Sequence, residues 1–492
     1  MLDAVLKNMH EHYAKYRNIT PGPMDVFDYQ IGNLWKQGID GAGTTVAVIE
    51  GWDDPGIAKV VAGYDKTFGL PNPQIQTIFP AGPLPSKCPP GMQKLHSYGS
   101  CAAWRGELEL DVVSVHLIAP YAKIVISATP ADTQITDDAA SQVAPPEMME
   151  ALEYISAHHL ANAISISDGT GESTYEHGAE EVTAQDPGEL AAAAAGIPVM
   201  IASGDCGVVQ NLAVASGQCE DVSATPDTAT WDDSPWVTAV GGSVPNLNRT
   251  GGKAGPDPLW PGSGAGFSAI FPRPAYQNGV APITGSQQRS VPDITMDSQD
   301  GTSEAAPLFA GVMALATQLN GGANVGPVNP ALYGILGPSG AQDGVADVVK
   351  GNDSTPKVPG FTAANGFDVA SGWGTVNASQ FVPSLVAATK AERGEFRARH
   401  EAQAQLGQIE HGIQLTGHGT VGGSIYLLDQ GFLPGHPVVL SIDNHQVATL
   451  TASTSGYVTY MINPAKLKLA AGSHTVELQS MLVTATATFS TG

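Results

Sequence analysis

Short β-branched apolar runs alternate with longer stretches of helical character across residues 26–385. Thr45–Glu50 (TVAVIE) and residues 122–128 (AKIVISA), 163–167, 199–203 and 237–241 read as buried strands. Residues 106–118, 145–160 and 187–195 read as the helices between them. Strands that alternate with helices predict an α/β fold, a mostly parallel sheet covered by helices on both faces. The texture then changes twice. Residues 390–410 are charged and alanine-rich and predict a connecting helix, placing a helical linker at 386–414. Beyond it, the runs 424–428, 438–442, 447–450, 457–462, 474–478 and 483–489 are short, β-branched and separated by Gly, Pro or Asn. They predict an all-β sandwich of immunoglobulin-like architecture over residues 415–492. Residues 1–25 form an N-terminal segment ahead of the main pattern.

A chain of 492 residues is too long for one core, which agrees with this division. Its 47 acids outnumber 22 Lys and Arg, for a formal charge of −25. Such a surface repels nucleic acid and anionic membranes at neutral pH, so no nucleic-acid partner is expected. In acid the carboxylates protonate and the histidines charge, so net charge shrinks where many proteins unfold by self-repulsion. The four cysteines fall into two local pairs, Cys88 with Cys101 and Cys206 with Cys219, and predict two short disulfide loops. No run is long and apolar enough to predict a membrane span, and residues 1–18 lack the apolar core of an export signal.

The candidate chemistry lies in three segments. In residues 104–111 (WRGELELD), helical spacing puts Glu107 and Asp111 on one face, where each disfavours ionisation of the other. Residues 202–207 (ASGDCG) end a buried strand, where open α/β sheets place working groups; Asp205 there could equally cap a helix. Residues 301–307 (GTSEAAP) put Ser303 at the start of an alanine-rich helix, favoured by the dipole and free amides. A hydroxyl can be activated by any base in hydrogen-bond reach. No histidine here has a His-Gly-Thr-His setting; His116 follows Asp111 on its helix but lacks the flanking glycine. Carboxylates therefore stand where an imidazole would be expected, and a carboxylate base works in acid.

Together these segments resemble the sedolisin family, the serine-carboxyl peptidases, whose fold is an enlarged relative of subtilisin. Residues 234–242 (SPWVTAVGG), 264–268 (GAGFS) and 271–274 (FPRP) follow in the family's order. The resemblance covers about three quarters of the chain and implies a peptidase domain at 26–385 that hydrolyses polypeptides. It implies Ser303 as nucleophile, Glu107 as general base, Asp111 as its orienter and Asp205 as a protonated donor to the oxyanion. Glu50 matches a glutamate that some relatives bond to the catalytic glutamate. Those relatives carry a tryptophan where this chain has Asp168, and a glycine is usual at Asp300. A structural calcium ion is implied by residues 347–351 and 363–368, with Asp347, Asp368 and the carbonyls of Val348, Ala364 and Gly366 as ligands. The family's prosegment is missing ahead of the catalytic pattern, so a mature form or a fragment, extracellular and monomeric, is expected. The sandwich holds no catalytic cluster and is expected to serve as a stalk, a stabiliser or a module binding a polymer or surface. The competing expectation is a sedolisin-like binding protein without turnover that attaches through this sandwich.

Overall fold

The computed structural model describes residues 1–80, 82–88, 100–129, 147–175, 178–183, 185–212, 218–390, 402, 413–417, 423–429, 432, 436–452, 458–480 and 484–492. The strands of the main body are β1 (Thr45–Glu50), β2 (Ile75–Ile78), β3 (Lys123–Ala128), β4 (Ala163–Ile166), β5 (Val199–Ala202), β6 (Thr238–Ser243), β7 (Gly266–Pro272), β8 (Gln288–Val291) and β9 (Ile294–Asp297). Seven of them form one sheet in the order β2-β3-β1-β4-β5-β6-β9. Every neighbouring pair is parallel. β7 and β8 form a separate antiparallel hairpin.

Alternation along the central strand explains the layering. Val46 and Val48 enter one apolar cluster, which also takes Leu108, Val112 and Val115 from the helix Cys101–Ile118 and Leu308, Phe309 and Val312 from the helix Thr302–Leu319. Ala47 and Ile49 enter the opposite cluster with Met148, Leu152 and Ile155 of the helix Glu147–Ala157. Successive side chains of a strand point to opposite faces, so one six-residue strand serves both layers. The helix Leu2–Glu11 also belongs to this body, because Leu2, Val5 and Met9 pack into the first cluster. The predicted disulfides are both present, Cys88 with Cys101 and Cys206 with Cys219.

Two short strands, β10 (Val345–Ala346) and β11 (Thr375–Val376), pair antiparallel after the long helix. The helix Ala378–Lys390 ends the main body; the linker predicted at 386–414 lies mostly outside the described residues. The C-terminal strands are β12 (Gln414–Gly417), β13 (Ile425–Asp429), β14 (Pro437–Ile442), β15 (His445–Thr451), β16 (Val458–Ile462), β17 (Gly472–Gln479) and β18 (Thr484–Thr491). They make two antiparallel sheets, β12-β13-β16 and β15-β14-β17-β18. Leu427 and Ile462 of one sheet share a core with Leu440, Val476 and Leu478 of the other. No helix among the described residues is long and apolar enough to cross a membrane.

A buried ion pair fixes the far edge of the main sheet. Asp293 accepts two bonds from Arg289, at 2.7 Å each, and one from the Tyr333 hydroxyl at 2.8 Å. It also accepts from the Ala239 amide at 2.9 Å and from Asn329 at 3.1 Å, tying β6 and β9 to the chain beyond the long helix. Removing one partner strands the other charge in a dry interior. Asp293→Ala is expected to lower unfolding stability by about 3–5 kcal/mol, read by urea denaturation; a loss below about 1 kcal/mol would show the pair to be dispensable.

Candidate active site

The carboxyl ends of β1, β4 and β5 and the start of the Thr302–Leu319 helix converge on Ser303. The Ser303 hydroxyl lies beside the Glu107 carboxylate and favours its ionised form. Glu107 leaves the Cys101–Ile118 helix, whose N-terminus is capped by Ser100 Oγ accepting from the Ala103 amide at 3.1 Å. Asp111 follows one turn later and is fully buried; its Oδ1 accepts from Ser167 Oγ at 2.8 Å. Glu50, at the end of β1, is also fully buried, close enough to Asp111 for each to act on the other's ionisation. Asp168 lies near enough for its charge and that of Glu107 to raise one another's cost. The five predicted residues Ser303, Glu107, Asp111, Glu50 and Asp168 thus meet at one place.

Proline explains one contact that the sequence reading missed. In a helix the amide of residue 307 would bond to the carbonyl of residue 303, but Pro307 has no N–H. The Ser303 carbonyl is left open, and Ser167 Oγ lies 3.1 Å from it while also bonding Asp111. One hydroxyl therefore links the acid network to the backbone of Ser303. The signal for it is a serine at a strand end beside Asp168, facing a helix with an early proline.

Asp205 reaches the same loop from the end of β5. Its Oδ1 accepts from the Thr302 amide at 2.8 Å and the Thr302 hydroxyl at 2.9 Å, and Oδ2 accepts from Gln218 Nε2 at 2.7 Å. The disulfide from Cys206 to Cys219 brackets this contact and holds Gln218 against Asp205. Gly301 must be glycine twice over: its φ is +87°, and an added Cβ would sit 2.7 Å from Asp205 Oδ2. His116, the histidine nearest in sequence to this helix face, is fully buried and bonded to Asp65 at 2.7 Å. It is a structural pair, not a base for Ser303.

Burial governs the protonation of the site. It is the first cause of the rise of Glu107 from 4.5 to about 7, opposed by the Ser303 hydroxyl and reinforced by the charge of Asp205. Burial, then the charge of Glu107, holds Asp111 well above the usual carboxylate range. Glu50 is raised by burial and then by Asp111 and Glu107. Asp168 is raised by burial, and the Gly169 amide works against it. Burial also raises Asp205, while its bonds from Thr302 and Gln218 favour the ionised form. Oxygens of Glu50, Glu107, Asp111 and Asp168 are buried without a partner. Such oxygens are stable only with protons on the group or a donor brought by a ligand.

A separate acidic region lies beyond the helix. Asp347 Oδ2 accepts from the Gly366 amide at 2.8 Å, and Asp368 Oδ2 from the Ala364 amide at 2.7 Å, so one loop gathers both carboxylates. Val348 beside them is fully buried. Asp347 Oδ1 is buried and unpartnered, and burial raises both acids. Buried oxygens without donors fit a hard cation. Asp353, which the sequence reading did not single out, has a second orphaned oxygen and is pushed up to about 7, by burial first and by the Asp368 charge last.

A seven-stranded parallel sheet with a serine and clustered carboxyls at its carboxyl ends defines a subtilisin-like fold with a serine-carboxyl site. No family model matches the chain. It is 26% identical over 400 residues to kumamolisin of Bacillus sp. (strain MN-32), covering 74% of this chain and 64% of that protein. It is 29% identical over 232 residues to tripeptidyl-peptidase 1 of Homo sapiens, covering 40% of this chain and 38% of that protein. The chain thus spans less than two thirds of either relative. Its fold matches Pseudomonas sedolisin, a serine-carboxyl proteinase solved with two molecules of pseudo-iodotyrostatin, at a TM-score of 0.58 and 22% identity, over 72% of this chain and 94% of that one. The chain is thus similar in sequence to kumamolisin and tripeptidyl-peptidase 1 and shares the fold of Pseudomonas sedolisin.

The raised acids set the sign of the pH dependence of stability. Glu107 rises from 4.5 to about 7, Asp227 from 3.8 to about 6, and Asp28 from 3.8 to about 8, each through burial first. A group raised in the folded state holds its proton more tightly there, so its stabilisation is complete below the ordinary value and is lost as pH climbs through the folded one. The melting temperature is expected to be highest near about pH 4 and to fall towards about pH 8. A melting temperature that rises across this range in scanning calorimetry would contradict the protonated state of the interior.

Proposed function

We propose that the chain is an acid-active serine-carboxyl peptidase that cleaves peptide bonds in polypeptides through an acyl-enzyme. The observation that carries this reading is the placement of the Ser303 hydroxyl beside Glu107, inside a group of acids with orphaned oxygens. Ser303 Oγ attacks the scissile carbonyl as its proton passes to Glu107; the new Oγ–C bond forms and the carbonyl π pair moves to oxygen. Asp111, bonded by Ser167 and flanked by Glu50, orients Glu107 and spreads the incoming proton over the network. Asp205, when protonated, donates to the developing oxyanion. Collapse breaks the C–N bond, and Glu107 returns the proton to the leaving amine. Water then repeats the sequence on the ester with Glu107 as base.

Protonation of Asp205 also helps Glu107 ionise, because the charge of Asp205 is one of the causes that raise Glu107. The working state thus has Asp205 neutral and Glu107 charged, so activity falls at low pH as Glu107 protonates and at high pH as Asp205 ionises. Glu50 and Asp168 act through Asp111 and Glu107 as positioning residues. A calcium ion would be held by Asp347 and Asp368 with the carbonyls of Val348, Ala364 and Gly366, where it supplies a fixed charge that braces the loop. The peptidase domain is assigned to residues 26–385, the linker to 386–414 and the attachment sandwich to 415–492. Two disulfides in 492 residues fit an oxidising compartment, and we assign the protein to the extracellular side as a monomer.

Ser303→Ala is expected to reduce casein hydrolysis across about pH 3 to 7 by at least about a thousandfold with the fold unchanged. Equal rates for the two proteins at every acidic pH would remove the enzyme reading. Asp205→Asn should lower the rate and move the alkaline limb of the kcat/KM profile to higher pH, since the amide cannot ionise; an unmoved limb would remove Asp205 from the oxyanion role. EDTA should lower the melting temperature of the parent chain by more than it lowers that of Asp347→Asn. If the parent melts at one temperature with and without chelator, Asp347 and Asp368 hold no cation.

A further inference from the structure

A second knot of acids lies on the other side of the nucleophile loop and plays no part in the chemistry above. Asp25, Asp297 and Glu304 are each fully buried, and one oxygen from each lies within 4.8 Å of the others. They come from the short helix Pro23–Asp28, the end of β9 and the residue after Ser303. Each has part of its hydrogen bonding met by backbone or a neighbour. Asp25 Oδ2 accepts from the Gly22 amide at 2.7 Å, and Glu304 Oε2 from the Asp300 amide at 3.0 Å. Asp297 accepts from the Gln299 amide and side chain at 3.2 and 3.1 Å. Asp25 Oδ1 and Glu304 Oε1 are buried with no hydrogen bond in the structure, although Asp25 and Asp297 stand close enough to act on one another's protonation. Lys253, the base that reaches the helix carrying Asp25, is closed on Asp28 and Asp257 instead.

Three carboxylates in a dry interior repel one another strongly unless positive charge lies between them. Oxygens bound to one hard cation at about 2.4 Å stand no more than roughly 4.8 Å apart, and the three here lie within 4.8 Å of one another. We propose that Asp25, Asp297 and Glu304 form a second cation site, for a hard divalent ion of the calcium class, that fastens the N-terminal segment to the loop carrying Ser303. The same two segments are joined by a second tie, from Thr20 Oγ1 to Asp300 Oδ2 at 2.6 Å. The ion sets the position of Glu304, whose other oxygen holds the Asp300 amide two residues before Thr302. It is distinct from the site of Asp347 and Asp368 and does not depend on it.

Terbium tests the site directly. Tyr29 lies against it, its hydroxyl accepting from the Asp297 amide at 2.5 Å, and can transfer excitation to a bound lanthanide. The full chain titrated with Tb3+ at about pH 6 should give saturable, calcium-competed emission that survives Asp347→Asn. Glu304→Gln and the isosteric Asp25→Asn should each weaken that binding at least about tenfold. A terbium-soaked crystal of the unmodified chain should show an anomalous peak between the three carboxylates, which needs no variant to fold. Emission that disappears with Asp347→Asn alone, or a crystal without that peak, overturns the proposal. So does unchanged terbium affinity in both variants together with a raised melting temperature near neutral pH, the mark of acids held together by protons.

Discussion

Glu50 and Asp111 are fully buried and Glu107 half-buried beside them, with no lysine or arginine bonded to them among the described contacts, so they cannot all be charged. In water each would ionise independently; in the interior, a charge on one raises the cost of a charge on the next. The group therefore behaves as one acid-base unit holding several protons. Ser303 lies beside its outer member, and the inner members decide how readily that member accepts a proton. A histidine would do the same task at neutral pH by itself, whereas a single exposed glutamate would be too weak a base in acid. Burial is what lifts Glu107 into a useful range, and the chain of carboxyls is what makes that burial tolerable.

The scaffold meets this constraint with few devices. β1 delivers Glu50 and the end of β4 delivers Ser167 and Asp168, while the helix Cys101–Ile118 presents Glu107 and Asp111 one turn apart. Gly301 lets Asp205 approach the loop, and Pro307 frees the Ser303 carbonyl for Ser167. Each device sits where a regular element ends, so the site is positioned by rigid strands and helices even though its atoms lie in loops.

Much of this was legible in the residues. The central strands announce themselves because they are buried on both faces and read as unbroken apolar runs, as in Thr45–Glu50. β2 and β9 were missed: Ile75–Ile78 is polar at its second and third positions because it lies at the sheet edge, and Ile294–Asp297 ends in an acid that only the folded chain explains. The alternating C-terminal runs correctly indicate antiparallel strands in two sheets. The main site was legible because its acids keep helical or strand-end spacing to recognisable motifs. Asp25 was not, since it meets Glu304 only through the fold, and the segment that carries it gives no local sign of its partners. Ser167 and Gln218 were hidden for the same reason: their bonds, to Asp111 and the Ser303 carbonyl and to Asp205, form only in the folded chain.

The central claim is that a lone alcohol flanked by protonated and ionised carboxyls performs the attack. A crystal structure of the chain with a peptide aldehyde, grown in acid, tests it most directly. The account predicts a hemiacetal on Ser303 Oγ, with its oxygen within hydrogen-bond reach of Asp205 and with Glu107 still touching Oγ. An aldehyde bound elsewhere, or a hemiacetal oxygen turned away from Asp205, would contradict it.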